Sequence, residues 1–132
     1  MKKRTSKPAP EFLSITNNTR NTTLASEANI ADTSATRRKG LLGRKSLLPG
    51  QGLWIVPCQG VHCWGMQFPI DVIYLDRCKK VRKLRRGMQP WRLSVCLTAH
   101  SVLELPAGTI DQTQTERGDE LQFTLFSKTT VG

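Results

Sequence analysis

The sequence predicts a mainly β domain, a compact β-sandwich or partly closed barrel of short strands with two short helices. Three observations carry this reading. Short apolar or alternating runs recur between Gly- and Pro-bearing breaks from Leu53 to Phe126. Only two stretches, Thr33–Arg44 and Thr109–Arg117, carry helix start signals. Aromatics make up 6% of the 132 residues, so aliphatic side chains must fill the one core such a chain can build.

Taken in order, residues 1–23 read as a flexible basic tail, rich in Lys, Pro, Ser, Thr and Asn. Phe12, Leu13 and Ile15 are its only apolar cluster, enough for a short docking strand. Residues 24–127 form the single domain and residues 128–132 a short C-terminal tail. In Thr33–Arg44, Asp32 or Thr33 can cap the first free amides, Leu41 and Leu42 face inward, and Gly43 suits the end. Pro49-Gly50 marks a turn. Leu53–Pro57 is a short apolar strand closed by a proline that cannot donate to a ladder. Cys58–Pro69 is a polar and aromatic connection. Ile70–Asp76 is apolar on both faces, as a strand covered on both sides would be. Lys80–Arg85 continues it as a hairpin partner with Val81 and Leu84 inward, and the imperfect alternation of the pair predicts a bulge. Trp91–Leu97 sets Trp91, Leu93, Val95 and Leu97 on one face. Ser101–Leu105 is a strand stopped by Pro106. Thr109 with Gln112 has capping-box spacing, and Gly118 sits where a helix would end. Leu121–Phe126 closes the domain with Leu121, Phe123 and Leu125 inward.

The net charge is +10 and the sequence pI about 10.0. Such a balance favours nucleic acid, acidic lipid surfaces or acidic proteins as partners. Beyond the tail, the basic residues that could bind a polyanion are Arg37, Arg38, Lys39, Arg44 and Lys45, and Arg82, Arg85 and Arg86. They are not interleaved with aromatics as a single-strand binding face would require, so a solvated basic surface is the plainer reading. No apolar run approaches the ~20 residues of a membrane span. The opening residues lack the apolar stretch of a secretory signal, which predicts a cytoplasmic protein with its four Cys as thiols.

The run of motifs also resembles a known family. R-x-x-GLLGR-x-x-L (Arg37–Leu47), GLWI-x-PC-x-x-VH (Gly52–His62), GM-x-FPIDVIYLD (Gly65–Asp76), VLELPAG (Val102–Gly108) and GD-x-L (Gly118–Leu121) occur in the order of the DUF192 (UPF0127) family. The resemblance covers about Thr23–Phe126. It implies a mainly β, sandwich-like fold and no particular activity. Cys63 and Cys78 stand where such sequences more often carry a hydroxyl or small residue, which argues against a shared four-Cys metal site.

Several groups could carry chemistry. Trp54, His62, Trp64, Met66, Phe68 and Asp71 could line a cleft at one end of the domain and bind a small ligand or a peptide; alternatively they close the core. Cys58, His62 and Cys63 are the candidate metal set, with Cys96 and His100 available from a distant segment. Their spacing lacks the paired knuckles of a zinc site, so no cofactor is expected and zinc is the one candidate. A Cys–His nucleophile would use Cys58 or Cys63 with His62 or His100. Asp71 lies between apolar residues and must be hydrogen-bonded or paired, with Arg37 or Arg44 or across a turn. Glu104 is the only other strand carboxylate placed for acid–base work, and nothing in the sequence pairs it. The reading is a non-catalytic binding or accessory domain with its site near Val61–Asp71 and a small ligand or protein as partner. The alternatives are a small metal-dependent or Cys/His enzyme, and a nucleic-acid-binding protein using the basic patches.

Overall fold

A computed structural model describes residues 10–128. In chain order the elements are β1 (Glu11–Asn17), β2 (Thr22–Ala31), α1 (Ser34–Lys39), β3 (Gln51–Ile55), β4 (Gly60–His62), β5 (Ile70–Leu75), β6 (Val81–Met88), β7 (Leu93–Val95), β8 (Ser101–Pro106), α2 (Thr109–Gln112) and β9 (Leu121–Ser127). Seven strands form one sheet in the order β6-β5-β8-β3-β2-β1-β9, and β4 and β7 form a separate two-stranded sheet. Within the large sheet only β2 and β3 pair in parallel. The sheet curls until its edge strands approach: Lys80 bridges Glu120, and the Val81 amide donates to the Asp119 carbonyl at 2.9 Å. It does not close into a barrel. The expected mainly β architecture with two short helices is therefore what folds.

Because strand side chains alternate, the central strands β3, β5 and β8 bury both faces. Inside the curl lie Leu13, Ile15, Leu24, Ile73, Leu75, Leu103, Leu105 and Ile110, contributed by strands all around the sheet and by α2. Outside it, Leu53, Ile55, Val72, Tyr74 and Val102 meet Leu41, Val61, Cys63 and Met66, which come from the segment after α1 and from β4 and its loop. The small sheet is thus a cover laid over the outer face of the large one.

Several expectations change, among them Leu125, expected inward and found exposed on β9. The stretch read as a tail is structural from Glu11 onward, because β1 fills the gap between β2 and β9 with a full ladder from Glu11↔Ser127 to Asn17↔Leu121; residues 1–9 lie outside the described region. The fully buried Asn17 fixes that strand's end, donating to Thr115 Oγ1 (3.2 Å) and Asp119 Oδ2 (2.9 Å) and accepting from the Thr19 and Arg20 amides. The first helix has its cap at Thr33, in a capping box with Thr36, but stops at Lys39 because Gly40 turns to φ +49. Leu41 is buried, whereas Leu42 is half-exposed. The second helix begins after Gly108 and ends at Gln112; Thr109 is inside it and Gly118 belongs to the turn before β9. In the Trp91–Leu97 stretch only Leu93–Val95 is strand, and its apolar face points outward while Ser94 is buried. The predicted bulges between β5 and β6 are present as register shifts at Ile70/Val72 and Tyr74/Leu75.

Candidate functional site

The site is built from β8 upward. Alternation along Val102–Leu105 sends Leu103 and Leu105 into the curl and Glu104 to the outer face, where it lies across from Leu53 on β3 and Val72 on β5. Glu104 is 3% exposed, lines the cavity above it, and makes no side-chain hydrogen bond or ion pair among the described residues. Burial pushes its carboxyl up to about 7, against which the more distant Arg44 acts only in part. A carboxylate among aliphatic side chains loses its hydration with nothing in exchange, so the neutral form is favoured.

What stands over Glu104 is open. Gly40 ends α1 above it, and a Cβ there would lie 3.9 Å from Glu104 Oε1, so no side chain covers the carboxyl from that direction. A cavity of about 90 Å³ results, with Glu104 as floor, Leu41, Ile55 and Met66 among its apolar walls, and Arg37, Arg38, Cys58, His62 and Trp64 around it. It adjoins a wider cleft of about 540 Å³ that shares Arg37, Arg38, Ile55, Cys58 and His62 and adds Ser34 and Pro57. The His62 ring faces outward from β4 and sits 5.3 Å from the Trp64 ring. An acid floor below a basic rim suits a ligand that gives a proton or positive charge at depth and a negative charge at the mouth.

The neighbouring thiols are not activated. Burial raises the Cys58 pKa, with Glu104 adding to it, and the thiol donates to the Gly60 carbonyl at 3.0 Å. Burial pushes Cys63 up to about 11, again with a contribution from Glu104. Raised thiols stay protonated near neutrality and make poor nucleophiles. Cys63 follows His62 directly and is buried in the outer core, whereas His62 is exposed. Among the described residues no three His, Cys, Asp or Glu side chains come together as a metal site would need.

Of the six residues expected to line one cleft, His62, Trp64 and Met66 meet at the cavity. Trp54 does not: it points into the curl, 4.8 Å from the Phe123 ring and beneath Lys79 Nζ at 5.1 Å. Phe68 packs against the outer core. Asp71 is structural, and pairs with neither Arg37 nor Arg44. Its Oδ1 accepts from the Gly87 amide and its Oδ2 from the Ile110 amide, both at 2.8 Å, tying β5 to the end of β6 and to α2. Arg37 and Arg38 rim the site with Lys39, while Arg44 bonds Asn29 at 3.1 Å and Arg86 pairs with Asp111 at 2.9 Å. The residue that sequence reasoning left without a role is Glu104. Its signal is an acid inside Ser101–Leu105, a run buried at every position.

A larger cleft, about 740 Å³, lies on the far side of Cys58 and reaches Asp76, Cys78 and His100. Asp76 is already committed to its own turn, accepting from the Cys78 and Lys80 amides, whereas His100 Nδ1 is buried without a partner among the described residues.

Comparison with known proteins agrees with this architecture. A family model, DUF192, described as an uncharacterised ACR, matches residues 15–123. A UPF0127 protein of Thermococcus sibiricus is 32% identical over 118 residues, covering 83% of this chain and 73% of the relative. The crystal structure of a protein of unknown function from Novosphingobium aromaticivorans superposes with a TM-score of 0.73 at 19% identity, over 84% of this chain and 83% of that one. A protein from Sinorhizobium meliloti described as a candidate transcription regulator gives 0.76 at 17% identity, over 90% and 98%. At these identities the two structures speak to the fold alone.

Proposed function

This chain belongs to the DUF192 family, and from that premise we propose that it is a non-catalytic binding domain whose small ligand seats on Glu104. The supporting observation is a buried carboxyl with no hydrogen-bond partner among the described residues, at the floor of a cavity with a basic rim. A purely structural acid at this depth would be expected to hold a partner, as Asp71 does. The ligand this arrangement suits carries an ammonium or hydroxyl that donates to Glu104, and a carboxylate or phosphate that meets Arg37 and Arg38. Trp64 and His62 would flank it, and the wider cleft would accept the rest of the molecule or a peptide end.

A second reading follows from the same residue. A carboxyl with a pKa of about 7 is tuned for general acid–base catalysis near neutrality. The raised thiols of Cys58 and Cys63 supply no nucleophile beside it, which favours binding. The test is native mass spectrometry of protein purified reduced and without chelator, followed by thermal-shift titration with aminoalkyl carboxylates and aminoalkyl phosphates. An organic adduct or stabilisation present in the wild type and lost in Glu104→Gln is the expected result. A bare mass with no shift from either series removes the proposal, and turnover of a bound compound would put the second reading in its place.

A further inference from the structure

The small sheet is assembled with its apolar side to solvent. Val61 and Ser94 form the inward pair, so the next pairs, Gly60↔Val95 and His62↔Leu93, face out. Leu93 and Val95 are 62% and 51% exposed, and Leu97 just beyond β7 is 79% exposed. Trp91 before the strand and Trp64 beside His62 are exposed as well. Isolated exposed leucines are ordinary, but five large apolar side chains exposed on one short β-ribbon and its turns are more than ordinary scatter.

The charge around it is mostly basic, with Asp76 in the cleft that Leu97 borders and the buried Glu104 in the cavity that Trp64 borders. Between Asp76 and Glu104 the chain holds eight Lys or Arg and no Asp or Glu. Lys83 and Arg85 lie opposite Tyr74 and Val72, on the side of the large sheet that the small one covers. Lys83 Nζ reaches the Val95 carbonyl at 2.7 Å, which brings its charge to the rim of the patch, and Arg92 is exposed between Trp91 and Leu93. Among the described residues none of these three is paired with a carboxylate.

We propose that the outer face of the β4–β7 sheet is a membrane-docking surface that seats on anionic lipid. Indole and aliphatic side chains enter the boundary between headgroups and acyl chains, while a basic collar stays with the phosphates. The observations favour this over other occupants. Leu97 borders the cleft of about 740 Å³ and Trp64 the cavity over Glu104, but Trp91, Leu93 and Val95 border neither of these nor the cleft of about 540 Å³, so none of the three gives the middle of the face a pocket for a folded partner's anchor, and a fluid interface needs none. The aliphatic middle offers nothing to base edges, which a nucleic-acid strand would need beside stacking. A second copy would bring its own Lys83, Arg85 and Arg92 against the same charges.

The test is co-sedimentation of the full chain with vesicles of phosphatidylcholine containing about 30 mol% phosphatidylglycerol, and with phosphatidylcholine alone, at about 0.1 M salt. The expected result is binding at least about tenfold tighter to the anionic vesicles, with a blue shift of tryptophan emission. Leu93→Ser/Val95→Ser/Leu97→Ser, all at exposed positions, should lose about tenfold in binding while keeping the wild-type melting temperature. Trp91→Phe should bind but show a smaller blue shift. Four results overturn the proposal: no binding to anionic vesicles, equal binding by the triple variant, tighter binding to oligo(dT) than to vesicles, or a dimer that the triple variant abolishes. A triple variant that fails to fold is replaced by Leu97→Asp alone, which must weaken vesicle binding for the proposal to stand.

Discussion

Glu104 sets a pH signature. In the unfolded chain it ionises near its ordinary 4.5, and in the folded protein not until about 7. Between those values the native state keeps a proton that the unfolded chain has lost. Stability therefore falls as pH rises through that window, and a penalty of roughly 3 kcal/mol stands in full above it. Urea unfolding should find Glu104→Gln about 2 kcal/mol more stable than wild type at pH 8 and equal to it at pH 4. A gain that is the same at both pH values would show that the carboxyl is not neutral in the fold. Asp71 behaves oppositely under mutation. Asp71→Ala leaves the half-buried Gly87 amide and the buried Ile110 amide without an acceptor and should cost roughly 3 kcal/mol, measured as a lower urea midpoint with an unchanged slope. The sequence shows both acids in strands but not which is satisfied, because the partners of Asp71 lie 16 and 39 residues away.

At the level of elements, β5 was legible as a strand covered on both sides and β8 as a strand, and every residue of Ile70–Leu75 and Ser101–Leu105 is buried. Two elements were not legible, for different reasons. β1 carries Lys-, Pro- and Asn-rich neighbours that read as tail, and its ordering comes from partners at the other end of the chain. A chain begun at Thr22 should lose β1, expose the edges of β2 and β9, and either fail to unfold cooperatively or aggregate on gel filtration. β7 alternates cleanly, but alternation shows only that one face is apolar, not that the apolar face is the covered one. Its burial is inverted because Val61 and Ser94 are the side chains that meet the outer core.

For the whole molecule, a charge of +10 on 132 residues means that like charges repel across the folded surface. Raising the salt from about 0.05 to about 0.5 M should raise the melting temperature, since screening relieves that repulsion faster than it weakens the few ion pairs. A flat or falling melting temperature would mean that ion pairs such as Arg20–Asp119 outweigh it. The class of fold was visible in the sequence because it depends on local alternation and turns. The candidate site was visible only in part, because its floor, walls and rim come from β8, the β4 loop and α1, which converge through the curl of the large sheet. No helix among the described residues is long and apolar enough to cross a membrane, so the lipid contact proposed for β7 is a seat on the surface. The pairing of β1 with β9 carries one more consequence. Glu11 and Ser127 face each other across the ladder, so the two ends of the folded region are neighbours in space. The order in which the strands are translated is then one of several that could build this sheet. A short linker joining those ends, with new termini cut in the turn at Pro90–Trp91, would give a circularly permuted chain with the same strand ladders.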